Sequence, residues 1–84
     1  MTSLSSVRAE LVTFLAEQVL APDVPCTYDA VLAELGVDSF SLMEVVLFVE
    51  RRWGVILPME RLTPENVHTV DALARCIAEV VRAA

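Results

Sequence analysis

Leu35-Gly36-Val37-Asp38-Ser39-Phe40-Ser41-Leu42-Met43-Glu44 is the stretch that decides the fold, because it joins a turn to the start of the most apolar part of the chain. Gly36 can adopt a positive φ at no steric cost and so end whatever structure precedes it. Asp38, Ser39 and Ser41 are residue types that cap helix N-termini, and Ser41 with Glu44 has the spacing of a competing capping box. A helix is therefore predicted to begin within a residue or two of Ser39, whose hydroxyl either caps that helix or carries a group.

The helix that follows is predicted to run from Ser39 to about Trp53, where Gly54 ends it. One apolar stripe has the spacing of a core-facing helix face and consists of Leu42, Val45, Val46, Val49 and Trp53. A second stripe, at i, i+3 and i+7, consists of Phe40, Met43 and Leu47. Because a chain of 84 residues has little material with which to enclose a helix that is apolar on two faces, we predict that the second stripe contacts a partner. The alternative is that the second stripe forms additional core.

The rest of the chain divides into further helices and connections. Apolar residues recur at helical spacing from Leu4 to about Leu20, and Pro22 and Pro25 then keep the chain extended. Three more segments carry helix signals: a short turn over residues 29–35, a short helix from Thr63 to about Val67, and a last helix from Thr69-Val70-Asp71 to about Arg82. The prediction is a single all-α domain over residues 1–84, a four-helix bundle with three longer helices, one short helix and a long first loop.

Charge is distributed unevenly along the chain, whose net charge is −6. No basic residue lies between Arg8 and Arg51, so Ser39 sits in an acidic interval. That field would repel nucleic acid and attract basic protein surfaces toward the serine, with an effect that fades as salt rises. A solvated acidic surface that aids solubility is the alternative interpretation.

Several features bear on the compartment. The stretch Met1-Thr2-Ser3-Leu4 lacks the basic and apolar pattern of a leader, and the run from Val45 to Val49 is far too short to span a bilayer. Cys26 and Cys76 have no metal-ligand spacing, so we expect free, reduced thiols, with a disulfide between them as the minor alternative. We therefore expect a cytoplasmic protein that does not contact a membrane. We also expect a monomer.

Residues for catalysis or metal binding are sparse. Ser39, His68 and either Asp38 or Asp71 supply the residue types of a hydrolase triad, but no nucleophile-elbow glycines surround the serine. One histidine and two distant cysteines offer no close pair of metal ligands, and no glycine-rich phosphate loop is present. We expect His68 at the surface, Cys76 in the core, and no enzyme activity.

A family resemblance extends these observations. Leu35-Gly36-Val37-Asp38-Ser39-Phe40 resembles the Leu-Gly-x-Asp-Ser-Leu signature of acyl carrier proteins. The resemblance covers essentially the whole chain, through Glu44, Val45, Glu50, Trp53, Gly54-Val55-Ile56-Leu57-Pro58 and Thr69-Val70-Asp71. In such proteins the matching serine receives a phosphopantetheine arm, donated by coenzyme A through a dedicated transferase, and the thiol of the arm carries acyl groups as thioesters. The resemblance thus implies that Ser39 is the attachment point of this cofactor in a carrier that catalyses no reaction.

The same resemblance implies a set of partners and the residues that meet them. The partners are a phosphopantetheinyl transferase, an acyltransferase or adenylating loading enzyme, and a ketosynthase or other acyl-processing enzyme. The residues expected to contact them lie beside Ser39 and along the helix that it starts: Asp38, Phe40, Met43, Glu44, Leu47, Glu50 and Arg51. Acidic members would face basic patches, and Phe40, Met43 and Leu47 would make the apolar contacts.

Departures from the family pattern refine the expectation. Phe40 replaces the usual leucine, Arg51-Arg52 interrupts the run of acids on this helix, and residues 59–66 form a slightly longer segment than in the compact fatty-acid type. These features favour a discrete carrier from a polyketide or hybrid pathway of secondary metabolism. An aminoacyl or peptidyl carrier is the alternative, although Asp38 before the serine favours an acyl carrier. From a different class, the alternative is an unmodified helical interaction module in which Ser39 is only a cap.

Overall fold

Three α-helices form the frame of the protein, for which a computed structural model describes residues 3–21 and 23–84. They are α1 (Leu4–Phe14), α2 (Ser39–Trp53) and α3 (Val70–Ala83), with a π-helical turn at Leu15–Val19 and a 3₁₀ turn at Met59–Arg61. Over these two ranges the chain forms no strand beyond one isolated bridge between Val31 and Thr69. The all-α prediction is confirmed.

Each α-helix begins at a side-chain cap. Oxygens of Ser3, Asp38 and Thr69 accept the N–H group three residues later, at 3.1, 2.9 and 3.1 Å respectively. Each bond satisfies one of the N–H groups that a helix start leaves without an acceptor. The competing capping box at Ser41 is wrong, because Ser41 lies inside α2, is buried, and gives its own N–H to the Asp38 carboxylate.

The C-terminal end of α1 differs from the prediction. A single helix was expected to about Leu20, but the last turn opens into a π-helical turn that Leu20 closes by donating its N–H to the Leu15 carbonyl at 2.8 Å. Such turns are rare and are found frequently at functional sites. Of the two prolines expected to keep the following chain extended, Pro25 is non-helical and Pro22 lies outside the described residues.

The core is aliphatic and lies where α1, α2 and α3 meet. Its fully buried side chains are Val7, Leu11, Leu15, Leu32, Val45, Val49, Leu57, Val70, Leu73, Ala74, Cys76, Ile77 and Ala78. Two contacts show that α1 and α2 run antiparallel: Glu10 pairs with Arg52, and Phe14 stacks on Phe48 with ring centroids 4.4 Å apart. The buried position predicted for Cys76 is confirmed, and both cysteines are free thiols.

The long first loop is tied to the start of α3. Leu32 donates its N–H to the His68 carbonyl at 2.9 Å, and Asp71 donates its N–H to the Tyr28 carbonyl at 2.9 Å. The Asp71 carboxylate also accepts from the Arg8 guanidinium at 2.6 Å, which joins α1 to the same corner. The loop therefore packs on the bundle.

The short helix predicted from Thr63 to Val67 is wrong in its extent. The segment makes one turn, with Asn66 N–H on the Thr63 hydroxyl at 3.2 Å and Val67 N–H on the Thr63 carbonyl at 3.0 Å. It stops there because the next two residues pair with the first loop: His68 accepts the Leu32 N–H, and Thr69 is extended and bridges to Val31.

Two glycines end elements as predicted. Gly36 closes the turn of residues 32–36 with φ of 89°, and Gly54 ends α2 with φ of 69°. Residues with a side chain rarely adopt such positive φ values, which explains why both positions are glycine. Over the described parts of the chain, no helix has the length and apolar character needed to span a membrane.

Candidate functional site

Ser39 is the first residue of α2 and is exposed. The hypothesis that its hydroxyl caps the helix is wrong, because Asp38 is the cap and accepts the Ser41 N–H through Oδ1. The Ser39 hydroxyl makes no hydrogen bond to any residue in the described ranges. It is therefore open to solvent and free to accept a covalent group.

Asp38 gives the site its local charge. The Ser41 backbone N–H stabilises the carboxylate, and this hydrogen bond lowers the pKa of Asp38 below its ordinary value. Its ionised form therefore lies beside Ser39 at neutral pH.

The second apolar stripe of α2 is exposed, as predicted. Phe40 is 73% exposed, Met43 46% and Leu47 45%, whereas Val45 and Val49 on the opposite side are fully buried. Since an α-helix turns about 100° per residue, Glu44, Glu50 and Arg51 lie on the same broad face as this stripe. The structure thus places the helical residues predicted to meet partners on one face.

A groove of about 590 Å³ lies along the side of this face. Its lining residues come from the end of α1, the π-helical turn that follows it, and α2: Phe14, Gln18, Glu44, Leu47, Phe48, Arg51 and Arg52. Sequence reasoning missed the α1 side, because it depends on the antiparallel packing that stacks Phe14 on Phe48. We call this feature the α1–α2 groove.

The residues considered for a hydrolase triad are not assembled. The Asp71 carboxylate is occupied by Arg8 at 2.6 Å and Arg75 at 2.8 Å, and these cations lower its pKa, with the Arg75 hydrogen bond the largest cause. His68 is exposed, as expected, and makes no side-chain hydrogen bond in the part of the chain that the structure describes. That part also contains no cluster of three side chains able to hold a metal ion.

The groups at the start of α2 fit the covalent attachment of a phosphopantetheine group. Covalent attachment needs an accessible hydroxyl, which Ser39 supplies. The N-terminal end of a helix carries partial positive charge and suits a phosphodiester, offsetting repulsion from the neighbouring Asp38 carboxylate. When bound, the group supplies a thiol on a flexible arm, on which acyl groups are held as thioesters.

Known proteins that are similar to this chain include acyl and aminoacyl carrier proteins. The family model described as a phosphopantetheine attachment site matches residues 9–77. Anthracycline acyl carrier protein DpsG of Streptomyces peucetius is 34% identical over 79 residues, which cover 90% of this chain and 92% of that protein. Aminoacyl carrier protein 1 of Bradyrhizobium diazoefficiens is 33% identical over 63 residues, 75% of this chain and 68% of that protein. Aminoacyl carrier protein 2 of the same organism is 39% identical, but the match covers only 52% of its length.

A crystal structure supports the same conclusion. It is the structure of Bradyrhizobium japonicum glycine:[carrier protein] ligase complexed with glycylated carrier protein. The match has a TM-score of 0.64 and 26% identity, and it covers 87% of this chain and 96% of that chain. Fold, exposed serine and family model agree, and the chain belongs to the phosphopantetheine-binding family of acyl and aminoacyl carrier proteins, which hold this cofactor covalently and are not themselves catalysts.

Proposed function

We propose that Ser39 is the attachment point of the phosphopantetheine arm, and that residues 1–84 act as one freestanding carrier domain that presents acyl thioesters to partner enzymes. The observation that carries the proposal is the exposed Ser39 hydroxyl at the start of α2, which neither caps the helix nor bonds elsewhere in the described ranges. It lies within the region matched by the family model. The pathway proposed is polyketide or related secondary-metabolite biosynthesis.

The modification is a phosphoryl-type transfer to an alcohol. The oxygen of Ser39 forms a bond to the phosphorus that carries pantetheine, the bond from that phosphorus to the nucleotide part of coenzyme A breaks, and the hydroxyl proton is released. The chain contributes an unhindered hydroxyl and a helix N-terminus that stabilises the resulting phosphodiester. The transferase supplies the catalytic groups.

Partner enzymes are proposed to dock on the exposed face of α2 and on the residue before Ser39. The contact residues are Asp38, Phe40, Met43, Glu44, Leu47, Glu50 and Arg51. An exposed apolar stripe bordered by charges is the composition of a transient recognition surface. The partners proposed are the phosphopantetheinyl transferase, a loading acyltransferase or adenylating enzyme, and a ketosynthase or other acyl-processing enzyme.

An aminoacyl cargo is the second candidate. It is favoured by the likeness to two aminoacyl carrier proteins and to the crystal structure of a ligase complexed with a glycylated carrier protein. The acyl cargo is favoured by the anthracycline acyl carrier protein, whose match covers more of both chains. Incubating the modified protein either with an acyl-coenzyme A and an acyltransferase, or with amino acids, ATP and an adenylating ligase, separates the two by the mass that is added.

Intact mass spectrometry tests the attachment. With a broad-range phosphopantetheinyl transferase and coenzyme A, the wild-type protein is expected to gain the mass of one arm and Ser39→Ala to gain none. Ser41→Ala is the matched control, because it removes the next serine on the same helix and should leave the modification intact. A wild-type protein that gains no mass would refute the proposal and favour an unmodified interaction module.

A further inference from the structure

The adjacent arginines at the C-terminal part of α2 have different environments. Arg52 is held by the protein itself, since its Nη2 donates to Glu10 Oε2 at 3.0 Å and its guanidinium lies 5.4 Å from the Trp53 ring centroid. Arg51 is exposed and makes no ion pair with any residue in the described ranges. The charge of Arg51 is therefore available to another molecule.

The α1–α2 groove lies directly beside Arg51. Phe14 and Gln18 form its wall on the α1 side, and Phe48, stacked on Phe14, lines its apolar base. Trp53 packs edge-on against Phe48 with centroids 5.5 Å apart, which supports that base from behind. Gln18 belongs to the π-helical turn, a feature often found at functional sites.

Charge changes sign along the α2 side of this groove. Glu44, Leu47 and Arg51 follow one another at i, i+3 and i+7, so they line one side in the order acidic, apolar, basic. The two charges are separated by about 10 Å along the helix axis at 1.5 Å per residue. A uniformly basic partner surface would be attracted at Glu44 and repelled at Arg51.

We propose that the α1–α2 groove binds an amphipathic helix of a partner protein that presents a basic side chain to Glu44, an apolar side chain between Phe14 and Leu47, and a carboxylate to Arg51. The inference rests on the proposed function only in that partners approach the carrier beside Ser39. An apolar groove between charges of opposite sign selects such a helix by both packing and electrostatics. Arg51 thereby excludes partners whose docking helix is basic throughout.

Two synthetic helical peptides test the proposal. Both are about twenty residues long, because shorter isolated helices are marginal in water. They are identical except at one position, so that one presents Arg, Leu and Glu on a single face and the other presents Arg, Leu and Arg. Each is titrated at low salt into the isotopically labelled, unmodified full chain, and backbone amide shifts give the dissociation constant. The carrier variants are Arg51→Glu and, as a control with the same change in net charge on another helix, Arg82→Glu.

The wild-type protein is expected to bind the mixed-charge peptide about fivefold more tightly than the basic one, the size expected of one exposed ion pair. Arg51→Glu should reverse this preference, Arg82→Glu should keep it, and shifts should concentrate at Phe14, Leu47 and Phe48. Equal affinities, reversal by Arg82→Glu, shifts elsewhere, or binding of neither peptide would overturn the proposal. Because the titration needs no arm, it can fail while Ser39 gains its mass normally, and the attachment proposal can fail while the titration succeeds.

Discussion

Helices α2 and α3 are similar in length but are used differently. In α3, six of fourteen residues are buried, whereas in α2 only three of fifteen are, although both helices are rich in apolar residues. The large apolar side chains that α2 leaves exposed are Phe40, Met43 and Leu47, which form its exposed stripe. The difference indicates that α3 serves mainly the core, and that α2 anchors itself by one side and presents the other to solvent.

The cause lies in how apolar residues are arranged on each helix. In α3, the alanines at positions 74 and 78 and the larger residues Leu73 and Ile77 all point toward the core. In α2 they divide into two stripes, and only Val45 and Val49 reach the fully buried core. None of the exposed large apolar side chains lies on α3, so this helix has no comparable exposed stripe.

The largest expected effect is loss of a core side chain from α3. Ile77→Ala should lower the free energy of unfolding by about 2 to 5 kcal/mol, since it removes buried methylenes and leaves a cavity. Leu47→Ala on the exposed face of α2 should change it by less than about 0.5 kcal/mol. Urea denaturation measures both variants. Equal destabilisation by the two would mean that the exposed stripe belongs to the core.

A smaller effect is expected from the cap of α2. Asp38→Ala removes the acceptor for the Ser41 N–H and should lower the melting temperature, though by less than Ile77→Ala does. Ser39→Ala is its control and should leave the melting temperature nearly unchanged, because the Ser39 hydroxyl makes no bond within the described ranges. Thermal unfolding followed by circular dichroism measures both. A larger drop for Ser39→Ala would restore the serine as the cap.

Local sequence signals predicted more of the observed structure in α2 than elsewhere in the chain. The bounds Ser39–Trp53 and the exposed face could be anticipated because they depend on short-range features. These features are the cap residue Asp38, the terminating Gly54, and the 3.6-residue period of the two apolar stripes. Which of the neighbouring polar residues would cap the helix could not be anticipated, since Asp38, Ser39 and Ser41 are all suitable by type.

Features that depend on distant contacts could not be read in the same way. The segment after Thr63 has good helix signals, but after one turn the chain pairs with the first loop, through the bond from Leu32 N–H to the His68 carbonyl and the bridge between Val31 and Thr69. The α1–α2 groove requires Phe14 and Phe48 to stack, and these residues are far apart in sequence. Gln18 carries no pattern of its own and reaches the groove through the π-helical turn.

A weaker, pH-dependent effect is expected at the start of α3. Arg75 and Arg8 lower the pKa of Asp71 in the folded protein. The ionised carboxylate therefore stabilises the fold fully above the pKa of Asp in the unfolded chain, about 3.9. This stabilisation is lost as the pH falls through the lower pKa of Asp71 in the folded protein. Asp71→Asn should therefore be less stable than wild type at pH 7, and the difference should shrink below about pH 4. Melting temperatures across this range measure it. A difference that stays constant would exclude the carboxylate charge as its source. Glu34→Gln, which removes an exposed carboxylate that makes no ion pair in the described ranges, is the control.

The smallest effect on folding, and the sharpest test of the contrast between α2 and α3, is expected from reversing one acidic charge on each helix. Glu44→Lys should leave the melting temperature almost unchanged, because Glu44 makes no ion pair within the described residues. The same substitution should slow transfer of the arm or cargo by roughly tenfold at low salt, because the new lysine repels a basic partner surface. Glu79→Lys on α3 is the matched control. It breaks an exposed pair with Arg61, worth little to stability, and should leave transfer rates unchanged. Rates measured by mass spectrometry over a salt series decide the matter, since a docking charge loses its influence as salt rises. If the two reversals slowed transfer equally, net charge would be responsible, and α2 would have no special place in recognition.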